Sequence, residues 1–265
     1  MTMQKLYLSL KRMWEEQVFF LSKNPRIILL GDSHTNAVFR AFTSREQKLE
    51  IKYMKIYRIS KVKNGNNFGD IDFSKVLKKI RRLKSKDYVF SMVGGNQHAI
   101  FSTIQHPVPF DFFYGENSIA DDDRGAQLIP ERVIRTHLTA GIYGRDGLTL
   151  RALRKATSAQ LYHILPPPPK NDSNHILNNH ETYFSNAEIG SHGVSSPALR
   201  LKTWQMQTEI LSSLCNEIDI KIITVPARAY TDDRFLKAEY YANDATHANR
   251  RYGDLILRQI DEIVS

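Results

Sequence analysis

One cysteine, Cys215, stands in a chain of 265 residues. It leaves no internal disulfide to form and no thiol cluster for a zinc cage, and no local motif marks it as a reactive thiol, so core or helix surface is its expected place. Long apolar runs are also missing. No window approaches the roughly 18 uninterrupted apolar residues of a membrane-spanning helix, because Val18 to Leu21 is preceded by Glu15 and Glu16. The first twenty residues carry Lys5, Lys11 and Arg12 but no clean hydrophobic block followed by small residues, so no signal peptide and a cytoplasmic protein are expected. Neither an internal repeat nor a low-complexity linker divides the chain, which predicts a single domain over 1–265.

What is present is ordinary globular material: 42% hydrophobic and 25% charged residues, enough for a core and unlike disordered or fibrous chains. The net charge of +9 is the basic balance that attracts nucleic acid, anionic membrane surfaces or acidic polysaccharide. However, its longest cluster (Lys78, Lys79, Arg81, Arg82, Lys84, Lys86) alternates with Val76, Ile80 and Leu83 at helical spacing. That pattern reads as the solvated face of a helix, and a nucleic-acid partner is not expected.

Arg26 to Leu30 is a short apolar run stopping at Gly31, the pattern of a buried parallel strand entering a tight turn. Further strands are predicted at Ile51 to Ile59, Asp87 to Val93, Gln160 to Leu165 and Ile220 to Val225. The fourth is cut off by Pro166 to Pro169. Helices are predicted after Gly31 through Val38, Phe39 and Phe42, over Asp72 to Lys84, over Ala198 to Ile218, and over Ala248 to Ile263. Alternating strands and helices predict an α/β protein, a three-layer α/β/α sandwich around a five-stranded parallel sheet. Two connections are long: His106 to Ala156, expected to hold one or two helices, and Pro166 to Pro197, rich in Asn, His and Ser.

Three short motifs sit where such a sheet gathers ligands, beyond the carboxyl ends of its strands. Gly31-Asp32-Ser33-His34 follows the first strand and puts Ser33 at a helix N-terminus, a nucleophile's position or simply an N-cap. Gly94-Gly95-Asn96 follows the third strand. Its glycines permit close backbone approach, and the Asn96 amide is a neutral donor suited to a negatively charged oxygen. Asp244-Ala245-Thr246-His247 precedes the last helix, a spacing at which a carboxylate holds one imidazole nitrogen while the other faces a nucleophile.

In their order along the chain, Ser then Asn then Asp and His, these blocks resemble the SGNH hydrolases, also called the GDSL family, over Arg26 to about Ile263. The resemblance implies a flavodoxin-like sheet and a serine esterase. Ser33 matches the nucleophile, Asn96 the oxyanion-hole asparagine, His247 the general base and Asp244 its orienting acid. The Ser33 amide and Gly65, in the loop after the second strand, supply the backbone donors, with Gly69 a second candidate. Asp32, His34 and His98 are the expected substrate contacts, a helix-start surface position being the other reading of His98. The sequence departs from the family at His34, where leucine is common, and at Gln97, where aspartate is usual. The expected activity is hydrolysis of a small acyl ester, an O-acetylated saccharide ahead of a long-chain lipid, with no metal or cofactor. Transfer of the acyl group to a sugar hydroxyl, or a non-catalytic hold on an anionic polymer, are the alternatives.

Other residues have plainer expectations. His163, inside an apolar strand, reads as a hydrogen-bonded core histidine; His137, His175, His180 and His192 lack metal-ligand spacing. The aromatic run Phe110, Phe112, Phe113 and Tyr114 suits either core packing or a cleft wall, and Asp121 to Asp123 a solvated loop.

Overall fold

Five apolar runs pair, all parallel, into one sheet: β1 (Ile27–Gly31), β2 (Met54–Arg58), β3 (Tyr88–Met92), β4 (Gln160–Ile164) and β5 (Lys221–Ile223). The spatial order is β2-β1-β3-β4-β5, the doubly wound, flavodoxin-like arrangement. The structure is a computed structural model describing residues 7, 14–46, 53–63, 66–115, 125–180, 184 and 188–265. Gly65 and Asp121 to Asp123 lie outside the described residues.

Period-2 alternation divides the sheet's side chains between two cores. Ile27 and Leu29 of β1, with Phe90 and Met92 of β3, join Val38 and Phe42 of helix α1 (Thr35–Glu46) and Ile256 and Ile260 of the C-terminal helix. Ile28, Leu30 and Val89 point the other way. They meet α2 (Phe73–Ile80), the insert helices α4 (Glu131–Gly141) and α5 (Gly147–Ala156), and the long α6 (Pro197–Glu217). A short α3 (Gln97–Ser102) follows β3, and α7 (Arg250–Val264) ends the chain. The expected three layers are therefore observed.

Several boundaries differ from expectation. The predicted helix over Asp72 to Lys84 stops at Ile80, because the Asp87 carboxylate accepts the Lys84 amide at 2.6 Å and draws the chain into a turn before β3. Its basic face is partly engaged: Lys79 pairs with Glu16, and Arg82 lies 3.6 Å over the Phe20 ring. Where a loop was expected after β2, Lys61–Lys63 and Asn66–Phe68 form a small antiparallel hairpin. Cys215 is core, its thiol pushed up to about 12 by burial. His163 is core as well, but neither ring nitrogen has a partner among the described residues, and burial lowers it to about 4. In the aromatic run Phe112 is fully buried and Phe113 exposed.

Two constraints position the loops that matter. At the amino ends of β1 and β3, Asp87 accepts hydrogen bonds from the Arg26 amide (2.9 Å), from Arg26 Nε (3.1 Å) and from Arg26 Nη2, all buried. Tyr88 N–H donates back to Arg26 O at 2.9 Å. On the opposite face, α7 crosses α1 at Gly253, where a Cβ would collide with the Ala37 carbonyl. Glycine thus lets the last helix lie against the helix that follows Ser33. The Asn249 side chain caps α7 by accepting the Arg251 amide at 2.8 Å.

Asp87→Ala strands the buried Arg26 guanidinium and is expected to cost about 3 kcal/mol, read as a lowered midpoint in chemical denaturation. Although burial opposes it, the Arg26 and Lys84 hydrogen bonds hold the Asp87 carboxyl below the usual carboxylate range. Its contribution is therefore present above about pH 4 and lost as pH falls through the folded value. The stability difference between wild type and Asp87→Ala should shrink on acidification; a difference constant down to pH 2 would contradict this account.

Candidate active site

β1 and β3 are paired in register, Gly31 opposite Met92, so they end level and their following turns lie abreast. The first turn is Asp32-Ser33-His34. Ser33 is exposed, its carbonyl accepts the Asn36 amide at 3.0 Å, and its own N–H belongs to the opening of α1, where amides lack intrahelical acceptors. The second turn is Gly94-Gly95-Asn96. Gly94 has φ +79° and approaches the Asp146 carboxyl so closely that no side chain could stand there. Asp146 is delivered by a π-helical turn, Ile142–Asp146, between α4 and α5. Asp32 Oδ2 accepts the Gly94 amide at 3.1 Å and ties the two turns together.

Asn96 stands at the N-cap position of α3, yet its side chain caps nothing. Instead Asn96 Oδ1 lies 2.7 Å from His34 Nε2. The backbone on both sides of Asn96 is clamped by one buried side chain of α6: Gln207 donates to Gly95 O (2.8 Å) and accepts from the His98 amide (2.7 Å).

The third segment precedes α7. Ala242 N–H donates to His247 O (3.0 Å) and Asn249 N–H to Tyr240 O (2.8 Å), closing a tight loop around Asp244 and His247. Asp244 Oδ1 accepts the amides of Thr246 (3.1 Å) and His247 (2.7 Å), and Oδ2 meets His247 Nδ1 at 2.9 Å. The expected carboxylate–imidazole pair is thus formed, with Nε2 as the remaining ring nitrogen. Burial opposes ionisation of Asp244, but the His247 hydrogen bonds and nearby Lys170 hold its carboxyl well below the usual range. The His247 ring packs 4.8 Å, centroid to centroid, from the ring of His34, which brings the imidazole against the residue that follows Ser33.

The three residues expected to touch substrate are turned inward. Asp32 bonds the Gly94 amide, and His34 is buried against Asn96 and His247. His98, neither at the surface nor in an open cleft, lines a cavity of about 20 Å³ with Ser102, Lys170 and Arg200. Asp32 and His34 each meet a polar partner from another turn, which the lone sequence positions could not reveal, while His98 Nδ1 is buried with no hydrogen-bond partner among the described residues. Burial, then the neighbouring His247, push His34 down to about 3 against the pull of the Asn96 hydrogen bond; burial takes His98 down to about 4. Both are neutral at ordinary pH. Gly69 (φ +91°) packs against the Ile59 carbonyl and has its own conformational reason to be glycine.

Sequence reasoning missed Lys170 and Gln207. Lys170, just after the proline run, is buried; its Nζ donates to the carbonyls of Ala242 (2.7 Å) and Asp244 and lies 3.6 Å from Asp244 Oδ1. It thus secures the His247 loop from below. The only available signal was a lysine beside a conformationally restricted Pro166 to Pro169. Gln207, mid-helix, gave none. Among the described residues no group of three His, Cys, Asp or Glu side chains could hold a metal ion, and no helix is long and apolar enough to cross a membrane.

No family model and no curated protein matches the chain. Among solved structures it is similar to an extracellular lipase from Streptomyces rimosus, with 8% identity and a TM-score of 0.49 over 91% of this chain and 100% of that one. It is similar to a GDSL-like lipase from Bacteroides thetaiotaomicron, with 12% identity and a TM-score of 0.48 over 96% of each. A phospholipase A1 from Streptomyces albidoflavus is similar at 10% identity and 0.48, over 91% of this chain and 100% of that one.

Proposed function

We propose that this protein is a serine ester hydrolase of the SGNH type, acting on a small acyl ester. The observation carrying the reading is the Asp244–His247 pair, built at 2.9 Å and packed through His34 onto the Ser33 turn, with Asn96 on the adjoining turn. Residues 33, 96 and 244–247 are remote in sequence, and a nucleophile, a neutral donor and a buffered imidazole are the parts that acyl transfer needs.

In this reading His247 Nε2 takes the Ser33 hydroxyl proton as Oγ attacks the ester carbonyl. Asp244 fixes the tautomer and balances the imidazolium. The tetrahedral oxyanion is met by the Ser33 amide and the Asn96 Nδ2 group. It collapses as the alkoxy bond breaks, and His247 returns its proton to the leaving alcohol. Water, deprotonated by the same imidazole, then attacks the acyl-serine and releases the acid. The polar composition of the connection from Lys170 to Ser196, of which Lys170 and His175 reach the His247 loop at the Ala242 carbonyl, supports an O-acetylated saccharide as the alcohol partner, ahead of a long acyl chain.

Ser33→Ala and His247→Ala should each lower hydrolysis of p-nitrophenyl acetate at least about a thousandfold, and a fluorophosphonate should label Ser33 in the wild type, read by peptide mass spectrometry. Equal rates in wild type and Ser33→Ala would remove the hydrolase reading. In a substrate panel, acetylated sugars should be turned over and aryl esters should lose rate as the acyl chain lengthens.

The acid limb of kcat/KM should have unit slope. His247 must be neutral to act as base, so activity falls as it protonates, while His34 and His98 stay neutral down to about 4 and add no second proton. A slope of two above pH 5 would show that a second histidine titrates with it.

A further inference from the structure

A carboxamide has two ends, and only one helps an ester hydrolase. The NH₂ end of Asn96 stabilises a developing oxyanion, whereas its oxygen would repel one. Something must therefore decide which way the group faces. The usual competitor for an asparagine in this position, capping of its own helix, is not used here. The backbone around Asn96 is clamped on both sides by Gln207, so the remaining freedom is that of the side chain itself.

His34 removes it. The imidazole is buried, its Nε2 lies 2.7 Å from Asn96 Oδ1, and its ring is pinned by the His247 ring at 4.8 Å. Nδ1 of His34 is buried with no partner among the described residues. A neutral imidazole has one N–H. Placing it on Nδ1 would bury a donor without an acceptor and oblige Asn96 to turn its NH₂ toward His34, presenting oxygen to the reacting carbonyl. Placing it on Nε2 satisfies Asn96 Oδ1 and frees the NH₂ to face the substrate, so hydrogen-bond accounting selects one tautomer and one amide orientation together. Burial and the neighbouring His247 keep the ring neutral, so it adds no positive charge to oppose the imidazolium that His247 becomes.

We propose that His34 is a positioning residue of the oxyanion hole, its Nε2–H gripping Asn96 Oδ1 so that the Asn96 NH₂ is aimed at the oxygen of the scissile carbonyl. The proposal rests on the hydrolase reading above, and it gives the third turn residue a task distinct from those of Ser33 and His247.

The test is a double-mutant cycle with a spectroscopic readout. Asn96→Ala should lower kcat for p-nitrophenyl acetate by about 100- to 1000-fold. His34→Leu should lower it by about 10- to 100-fold with KM within about twofold, since the aimed donor acts on the transition state. The double variant should be no slower than Asn96→Ala alone, because the brace has nothing left to hold. His34→Gln, whose side-chain amide can still donate to Asn96, should recover part of the loss. Fully additive losses, or equal losses in His34→Leu and His34→Gln, would overturn the proposal.

Long-range ¹H–¹⁵N spectra of the wild type, which need no activity, should show His34 protonated at Nε2 and bare at Nδ1; the reverse tautomer overturns the proposal even if His34→Leu fails to fold. Failure of the parent reading looks different. A wild type that neither hydrolyses esters nor takes the fluorophosphonate label would remove the hydrolase while the Nε2–H signal still reported the His34–Asn96 brace.

Discussion

The molecule depends on the parallel pairing of β1 with β3. Because Gly31 lies opposite Met92, the two strands stop at one level, and the chain must turn twice side by side at the carboxyl edge of the sheet. The register is held at the far end by the buried Arg26–Asp87 pair and at the near end by Asp32 accepting the Gly94 amide. A slip of one residue would turn Ile27 and Leu29 to the face now held by Ile28 and Leu30, and the reverse, exchanging the two cores. Hydrophobic burial thus fixes the spacing between the Ser33 turn and the Asn96 turn far more firmly than the polar contacts could alone.

The third segment is placed by helix packing. Gly253 allows α7 to lie against α1 at backbone distance, which brings the loop before α7 over the turn before α1. Local hydrogen bonds then shape that loop: Asp244 accepts two amides and one imidazole N–H, and Lys170 binds two of its carbonyls. A buried ammonium is expensive in isolation. Here it is offset by those two carbonyls and by the Asp244 carboxylate at 3.6 Å, so cation and anion steady one loop together.

Electrostatically the site keeps one charge pattern simple. Asp244 is ionised, while His34 and His98 are held neutral by burial. Lone histidines next to Ser33 and Asn96 read in one dimension as ligand contacts; in three dimensions both rings are buried, His34 against Asn96 and His247 and His98 beside Ser102 and Arg200. The difference is burial, which depends on what α3, α6 and α7 bring over them, and none of that is encoded near positions 34 or 98.

Apolar patterning together with its Gly and Pro punctuation determined the α/β class, the five strands and most of the helices, since runs such as Ile27 to Leu30 are short, uniformly apolar and bounded by Pro25 and Gly31, as a buried strand is. The spacing of Asp244 and His247 likewise determined their pairing, being a local matter of one tight loop. Only the tertiary structure decided the strand order, the inward direction of Asp32, His34 and His98, and the supporting parts played by Gln207 and Lys170. Those outcomes rest on contacts between residues scores of positions apart, where a polar side chain's role is set by which buried donor or acceptor it meets, and no local pattern specifies that partner.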